Sequence, residues 1–431
     1  MTLVPRVRGA AIAAWLGEPG TGTRRRLHRA GRFLSRRPRR LTFFHRVDDP
    51  HSQLLAQALM KRLDSWPVEI SLVIVPEPAA DADPEPILRE SWALRDAAHV
   101  AAEQGLDFAV GTPAPEPSRV RSVNASLLLE RPGRAQLEAA VRLGSALFAG
   151  DGSALRSASR ELGAVPGQRV GPMLEANYVR LRSAGHYQGG MLHYGGEWYW
   201  GVDRLPHLEQ RLREEGVELE ASLASSAAPP TPELPRDADG RISLELFFSV
   251  RSPYSYLALH RLAALAESHP LRLRVRPVLP MVTRGLAVPK TKILYIAKDA
   301  AREAARHGLP FGRVCDPLGA GVERALAVHH LAERRGKGLV FLLELSRGIW
   351  SQAKDLTRDS VLRELAEAAG LDPDEAMSAL EDESFRDAAR DNRDALYELG
   401  LWGVPSMRLG GVALWGQDRI ASIERWLAHA R

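Results

Sequence analysis

Apolar and polar positions in the second half of the chain alternate between two spacings. Over residues 243–250, Leu244, Leu246, Phe247, Phe248 and Val250 crowd together with few polar neighbours, the pattern of a strand buried on both faces. After a turn at Arg251-Ser252-Pro253, residues 254–266 run as an apolar, alanine-rich helix, with Pro253 in its first turn and Ser252 placed to cap it. Helices are predicted over 290–306, 323–333, 337–352, 360–369 and 372–380, with a further helix ending near Gly400. Val404-Pro405 then leads into a strand over 406–409, a hairpin turn at Gly410-Gly411 and a partner strand over 412–415. Gly416-Gln417-Asp418-Arg419 opens the last helix, 420–430.

The first half echoes this series. RLTFFHRVDDPHSQLLAQAL (40–59) parallels SLELFFSVRSPYSYLALHRL (243–262), read with one inserted residue. SWALRDAAHVAAEQGLDF (91–108) parallels LYIAKDAAREAARHGLPF (294–311), and AGHYQGGMLHYGGEWYWGVDR (184–204) parallels LGLWGVPSMRLGGVALWGQDR (399–419). The chain therefore reads as a tandem repeat of one α/β (α+β) fold. Each copy is expected to hold a βαβ and a ββα unit in a mixed sheet of about four strands, with a helical insertion between them. The divisions are a basic arm over 1–40, a first copy over 41–215, a linker over 216–240 and a second copy over 241–431. The linker is assigned from its small, polar, proline-rich composition.

The length of 431 residues and an apolar fraction of 45% supply cores for more than one domain. No apolar run reaches the length of a membrane span. Residues 1–40 hold 11 arginines against the single Glu18, a balance of +10, so with +5 overall the remainder carries −5. That arm either meets acidic lipid or nucleic acid, or is a solvated arm or a helix lying on its domain; no aromatic stacking pattern favours nucleic acid. Residues 9–16 are too short and too weakly apolar for an export signal, and a cytoplasmic location is expected. The heavy use of arginine over lysine fits a GC-rich bacterial coding bias. Cys315 is the single cysteine, which excludes an intramolecular disulfide, a C-x-x-C redox pair and a cysteine-rich zinc site. It falls in the loop after Phe311, read as away from the helix start. His329-His330 reads as helix packing, and no metal site is expected.

Three places carry candidate chemistry. Ser252 puts a hydroxyl at a positively polarised helix end, where it caps the helix and can also serve an anion. A cis Val404-Pro405 bond exposes backbone groups to which an extended peptide can pair like an added strand. At the start of the last helix, free amides suit a carboxylate, and Asp418 suits an ammonium.

In order, SPYSYLA, the series Lys292, Tyr295, Asp299 and Arg302 ahead of Gly308-Leu309-Pro310-Phe311, the Trp350 and Asp355-Leu356 segment, GVPS and WGQDR span residues 243–431. With these, the second copy resembles the 2-hydroxychromene-2-carboxylate isomerase and kappa-class glutathione transferase branch of the DsbA-like thioredoxin superfamily. The resemblance implies glutathione as cofactor, with Ser252 acting on its sulfur. It further implies that Val404 and Pro405 hold the cysteinyl backbone, that Gln417 and Asp418 hold the γ-glutamyl end, and that Lys292 lies near the thiol ligand or substrate. Tyr254, Tyr295, Trp350 and Trp402, with Phe341, would line an apolar substrate pocket, or equally be plain core. The family often carries Gly-Asn ahead of that lysine; here the chain reads Met281-Val282-Thr283-Arg284-Gly285-Leu286.

The function so implied is isomerisation of an aromatic 2-oxo or hydroxychromene carboxylate by reversible thiolate addition, without dithiol redox work. A kappa-type glutathione transferase is the alternative within enzymes, and a non-catalytic thioredoxin-fold binding or scaffold protein is the alternative outside them. The first copy has Asp49 where Ser252 stands and Gly189-Gly190 where Val404-Pro405 stands, so it reads as a non-catalytic partner domain, the rival reading being a second site with an altered ligand. Because family members commonly pair as dimers, the two copies are expected to form an internal pseudo-dimer.

Overall fold

Strand formation in each half starts from one apolar segment. Leu41, Phe43 and Phe44 in the first half, and Leu244, Leu246, Phe247 and Phe248 in the second, are all at most 2% exposed. Full burial of each such side chain contributes about 1.5–3 kcal/mol, which places these segments at the centre of their sheets. The computed structural model describes residues 18–109, 111–219, 231–286 and 288–429. The start of the arm and the middle of the linker, 220–230, lie outside the described residues. Contacts divide the chain into two units, one taking residues 24–219 with Pro289–Lys292 and the other residues 18–23, 231–286, 288 and Ile293 onward.

In the first unit, helix α1 (Glu18–Leu34), which belongs to this unit from Arg24 on, precedes β1 (Arg40–His45), α2 (Pro50–Met60) and β2 (Glu69–Ile74). Helices α3 (Pro86–Gln104), α4 (Pro117–Leu127), α5 (Gly133–Phe148), α6 (Gly152–Leu162) and α7 (Gly167–Ser183) form the insertion. Then come β3 (Met191–Tyr194), β4 (Glu197–Trp200) and α8 (Leu205–Glu214). The strand order is β2-β1-β3-β4, with β1 parallel to β2 and antiparallel to β3. One face of the sheet packs Leu41 and Phe43 with Leu54, Leu55, Leu208 and Leu212. Ile74 and Val47 join a second cluster with Val123, Leu127 and Leu143 of the inserted helices.

The second unit repeats the plan. Its elements are β5 (Ile242–Phe248), α9 (Pro253–Ser268), β6 (Leu271–Pro277), α10 (Lys290–Arg306), α11 (Ala320–Arg334), α12 (Gly338–Ser351), α13 (Asp359–Ala368), α14 (Pro373–Ser378), α15 (Phe385–Glu398), β7 (Ser406–Leu409), β8 (Val412–Trp415) and α16 (Ile420–His429). The order β6-β5-β7-β8 has the same pairing senses as the first sheet, and Phe247 opposite Ser406 matches Phe44 opposite Met191. Leu244, Leu246 and Phe248 join a continuous core with Tyr256, Leu259, Phe341 and Leu345. Phe247 lies under the Arg276 guanidinium, 5.1 Å from the ring centroid.

Three expectations need correction: the inserted residue, the end of the strand at 243–250 and the linker's end. Pro50 and Pro253 both occupy the first turn of their helices behind Asp49 and Ser252, so the two segments superpose in register without an inserted residue. Strand β5 stops at Phe248 because Ser252 N–H turns back to the Ser249 carbonyl, at 3.0 Å. The described end of the linker is ordered by the second unit: Arg236 bridges to Ile242, and Leu234 packs on the core. The described part of the arm is α1, a helix ion-paired to the first unit through Arg25 and Glu197 at 2.7 Å. Among the described residues no helix is long and apolar enough to cross a membrane.

Candidate functional site

The end of β5 delivers the chain to the tip of α9 through a turn that its own serines organise. Ser255 Oγ accepts from Ser249 N–H at 3.3 Å, and Ser252 Oγ accepts from Ser255 N–H at 3.1 Å. Ser252 is thus the N-cap, extended at φ −98° and ψ 117°, with Pro253 behind it. The Ser252 hydroxyl proton is donated to no described residue, so a donor remains at the positive end of a 16-residue helix. Ser249 Oγ, on a residue 3% exposed, is also bonded to nothing described.

The second wall is the loop before β7. Val404-Pro405 is cis, and it is the one cis bond among the described residues. Gly416 N–H donates to the Pro405 carbonyl at 2.9 Å, anchoring the hairpin, while nothing described pairs with the Val404 N–H or C=O. Proline brings no N–H to the sheet, so the carbonyl of Phe247 is not met as that of Phe44 is in the first unit. A glycine is required just before: a Cβ on Gly403 would sit 2.5 Å from the Trp415 indole. Arg284 donates to the Trp402 carbonyl at 2.9 Å, tying the divergent 281–286 segment to this loop.

Gln417 is 1% exposed and its carboxamide is committed inward. Arg261 donates to Oε1 at 2.7 Å, while Nε2 donates to Glu303 at 2.9 Å and to Asp418 at 2.5 Å. Gln417 therefore positions Asp418 and the start of α16, and Asp418 is the half-buried member of the pair. Burial lowers the Arg261 pKa, with Glu424, Asp418 and Glu303 working against it.

Of the aromatic residues expected to line a chamber, Phe341 and Trp350 belong to the core cluster, and Tyr254 packs against it. Tyr254 donates its hydroxyl to the buried Asp299 at 2.7 Å, and Arg302 donates to the other oxygen at 2.5 Å. Trp350 stacks on Phe311 at 5.8 Å and 7°, Trp402 tilts against Trp415 at 4.4 Å, and Phe341 is in the core. Tyr295 is 6% exposed on α10. Lys292 packs as part of the first unit: its ammonium donates to the Ala82 carbonyl at 3.0 Å and lies 5.8 Å from the Tyr187 ring. Burial lowers its pKa, against the pull of Asp83 and Asp81.

Cys315 is closer to the helix start than its place in the sequence suggests. Its neighbour Asp316 takes both arms of Arg251, the residue before Ser252, at 2.8 Å each. Burial and then the Asp355 and Asp316 carboxylates push the thiol pKa up, so it is a poor thiolate. His329 packs on Glu333 at 3.2 Å, and no metal-holding cluster occurs among the described residues. Sequence reasoning missed Arg251, Arg261, Arg284, Glu303 and Asp316. No local motif marks them, since their partners lie between 65 and 156 residues away in the chain.

The profile of the DSBA-like thioredoxin domain matches residues 243–428. The C-terminal half carries a DSBA-like thioredoxin domain. The chain is 25% identical over 195 residues to a 2-hydroxychromene-2-carboxylate isomerase of Sphingobium xenophagum, covering 43% of this chain and 97% of the relative. It is also 25% identical over 193 residues to the enzyme of that name from Pseudomonas putida, covering 42% and 92%. Among solved structures, a 2-hydroxychromene-2-carboxylate isomerase matches with a TM-score of 0.39 at 23% identity, over 44% of this chain and 96% of that one. These relatives are isomerases by name, which supports enzyme activity at the level of the DsbA-like family.

Proposed function

We propose that the C-terminal unit is a glutathione-dependent isomerase acting on an aromatic 2-oxo or hydroxychromene carboxylate. The observation that carries this reading is the pair of unspent groups at one helix tip and one loop: the Ser252 hydroxyl proton, and the N–H and C=O of Val404 beside cis-Pro405. An extended tripeptide with a thiolate in its middle matches both, and the names of the relatives supply the substrate class. When bound, glutathione supplies a thiol that adds reversibly to a conjugated double bond and permits rotation about it before it leaves. Ser252 donates to the sulfur and, with the positive end of α9, holds it as the anion. Val404 pairs with the cysteinyl backbone. Asp418, positioned by Gln417, takes the γ-glutamyl ammonium, and the amides at the start of α16 take its carboxylate. A transferase reading shares every one of these contacts and differs in the fate of the adduct.

Calorimetry with glutathione tests the proposal. Wild type is expected to bind, and Asp418→Ala to bind about tenfold more weakly, the loss of roughly 1.4 kcal/mol. No heat at millimolar glutathione refutes the cofactor, and unchanged affinity in Asp418→Ala refutes the placement of the γ-glutamyl end. Turnover of a hydroxychromene carboxylate, compared with conjugation of an electrophilic dye, separates isomerase from transferase.

A further inference from the structure

Helix α1 is amphipathic in the reverse of the usual sense. Its charged stripe faces its own domain: Arg25 forks onto Glu197 at 2.7 and 2.8 Å and reaches Glu214 at 2.9 Å, and Arg32 reaches Glu215 at 3.3 Å. His28, on the same face, meets the edge of the Tyr194 ring at 5.8 Å. The opposite face is apolar and exposed: Leu27 is 68%, Phe33 79% and Leu34 82% accessible, the three largest exposures of α1's apolar side chains. Leu27, Ala30 and Leu34 follow the i, i+3, i+7 spacing of one helix stripe, with Phe33 beside it. Arg26 on the helix and Arg36 and Arg37 just beyond its end are exposed, and residues 24–40 contain nine arginines and no acidic residue.

Solvation does not account for this face. A domain that needed only a solvated helix would turn Leu27, Phe33 and Leu34 inward, whereas here three carboxylates of the first unit hold the opposite stripe in place. We propose that α1 docks on a membrane surface bearing anionic headgroups. Arg26, Arg36 and Arg37 meet the phosphates, while Leu27, Phe33 and Leu34 enter the boundary with the acyl chains, to a depth of about 5–10 Å. The pairing of cations with large aliphatic side chains on one face selects lipid over nucleic acid, which would use the arginines and leave Leu27 and Leu34 without a role. The helix lies in the interface and does not cross it, consistent with its 17 residues and mixed composition.

The full chain is to be sedimented with vesicles of phosphatidylcholine alone and of phosphatidylcholine with phosphatidylglycerol. Partition onto the anionic vesicles is expected to exceed that onto neutral ones by about tenfold or more, and to fall as salt is raised. A combined Leu27→Gln, Phe33→Gln, Leu34→Gln variant is expected to lose about tenfold of that partition with its thermal midpoint retained, since none of the three is buried. Should that variant fail to fold, hydrogen exchange on wild type decides instead, with anionic vesicles expected to slow the amides of residues 24–37. No partition onto anionic vesicles, full partition in the variant, or unchanged exchange overturns the proposal. Binding to a DNA duplex that the variant retains assigns the surface to nucleic acid and overturns it as well.

Discussion

Asp49 and Ser252 do the same work for the backbone and differ in the charge they bring to the helix tip. Each caps a helix with proline in its first turn, Asp49 accepting from His51 N–H at 3.1 Å and Ser252 from Ser255 N–H at 3.1 Å. Asp49 is set among charged partners. Burial works to raise its pKa, but the hydrogen bond and charge of His51, with Arg46 and Arg89, outweigh that and hold it below the usual carboxylate range. His51 bonds Asp96 at 2.8 Å and stacks on Trp92; against its burial, Asp49 and Asp96 push its pKa up to about 9. The second unit places Tyr254 and Asp299 at these positions. Gly190 N–H donates to the Phe44 carbonyl at 2.9 Å, and a Cβ on Gly189 would lie 2.6 Å from Arg46 Cβ, so the first unit fills the place the second leaves open. Caps and cores preserve a fold, and a ligand site is made by the groups that the fold leaves unpaired.

The sharpest way to break this contrast is to install the first unit's cap in the second. Ser252→Asp keeps the cap but sets a carboxylate against the thiolate, and glutathione-dependent turnover is expected to fall by about 10³ while the thermal midpoint changes little. Steady-state kinetics within tenfold of wild type would remove Ser252 from the chemistry. The reverse transplant is expected to fail structurally. Gly190 has φ +71°, out of proline's reach, and gives up a ladder bond, so Gly190→Pro costs about 3 kcal/mol or more in urea unfolding.

Titration separates the units next. With His51 at about 9 folded against 6.5 ordinarily, its contribution is fully present below pH 6.5 and is lost as pH rises through about 9. The loss is roughly 3 kcal/mol as an upper bound. His45, in the same unit, is pushed down to about 4 by burial, and His260 in the second unit likewise; both lose stability on the acid side, as pH falls from 6.5 through about 4. Hydrogen exchange of α2 against pH reads the alkaline limb, which His51→Gln should flatten; an unchanged limb would show that His51 is not its source. The smallest expected effect is Gly403→Ala, which presses the Trp415 indole and costs about 1–3 kcal/mol, with weaker glutathione binding. Wild-type affinity and stability together would show the loop to be more tolerant than its packing indicates.

Most of the second unit is legible in its sequence. The apolar run at 244–248, the Ser-Pro cap and the hairpin glycines all rest on rules that act within a few residues. Helix ends moved by only a few positions, because propensity and capping set them locally. The linker's described end and the loop of Cys315 were misread because the side chains that hold them, Leu234 and Arg251, act through partners from elsewhere in the chain. The aromatic residues illustrate the same limit, since spacing cannot tell Trp350 against Phe311 from Trp402 against Trp415.

By itself, the amino-acid order determined the repeated strand and helix plan, the absence of a dithiol and the two caps, since periodicity, counting and local backbone chemistry need no third dimension. Tertiary structure alone decided which polar groups are consumed. It spent Gln417 on Arg261 and Glu303, Lys292 on Ala82 and Asp49 on His51, and left the Ser252 hydroxyl and the Val404 backbone unpaired. Hydrogen-bond satisfaction is a property of neighbours in space, and here those neighbours come from distant parts of the chain.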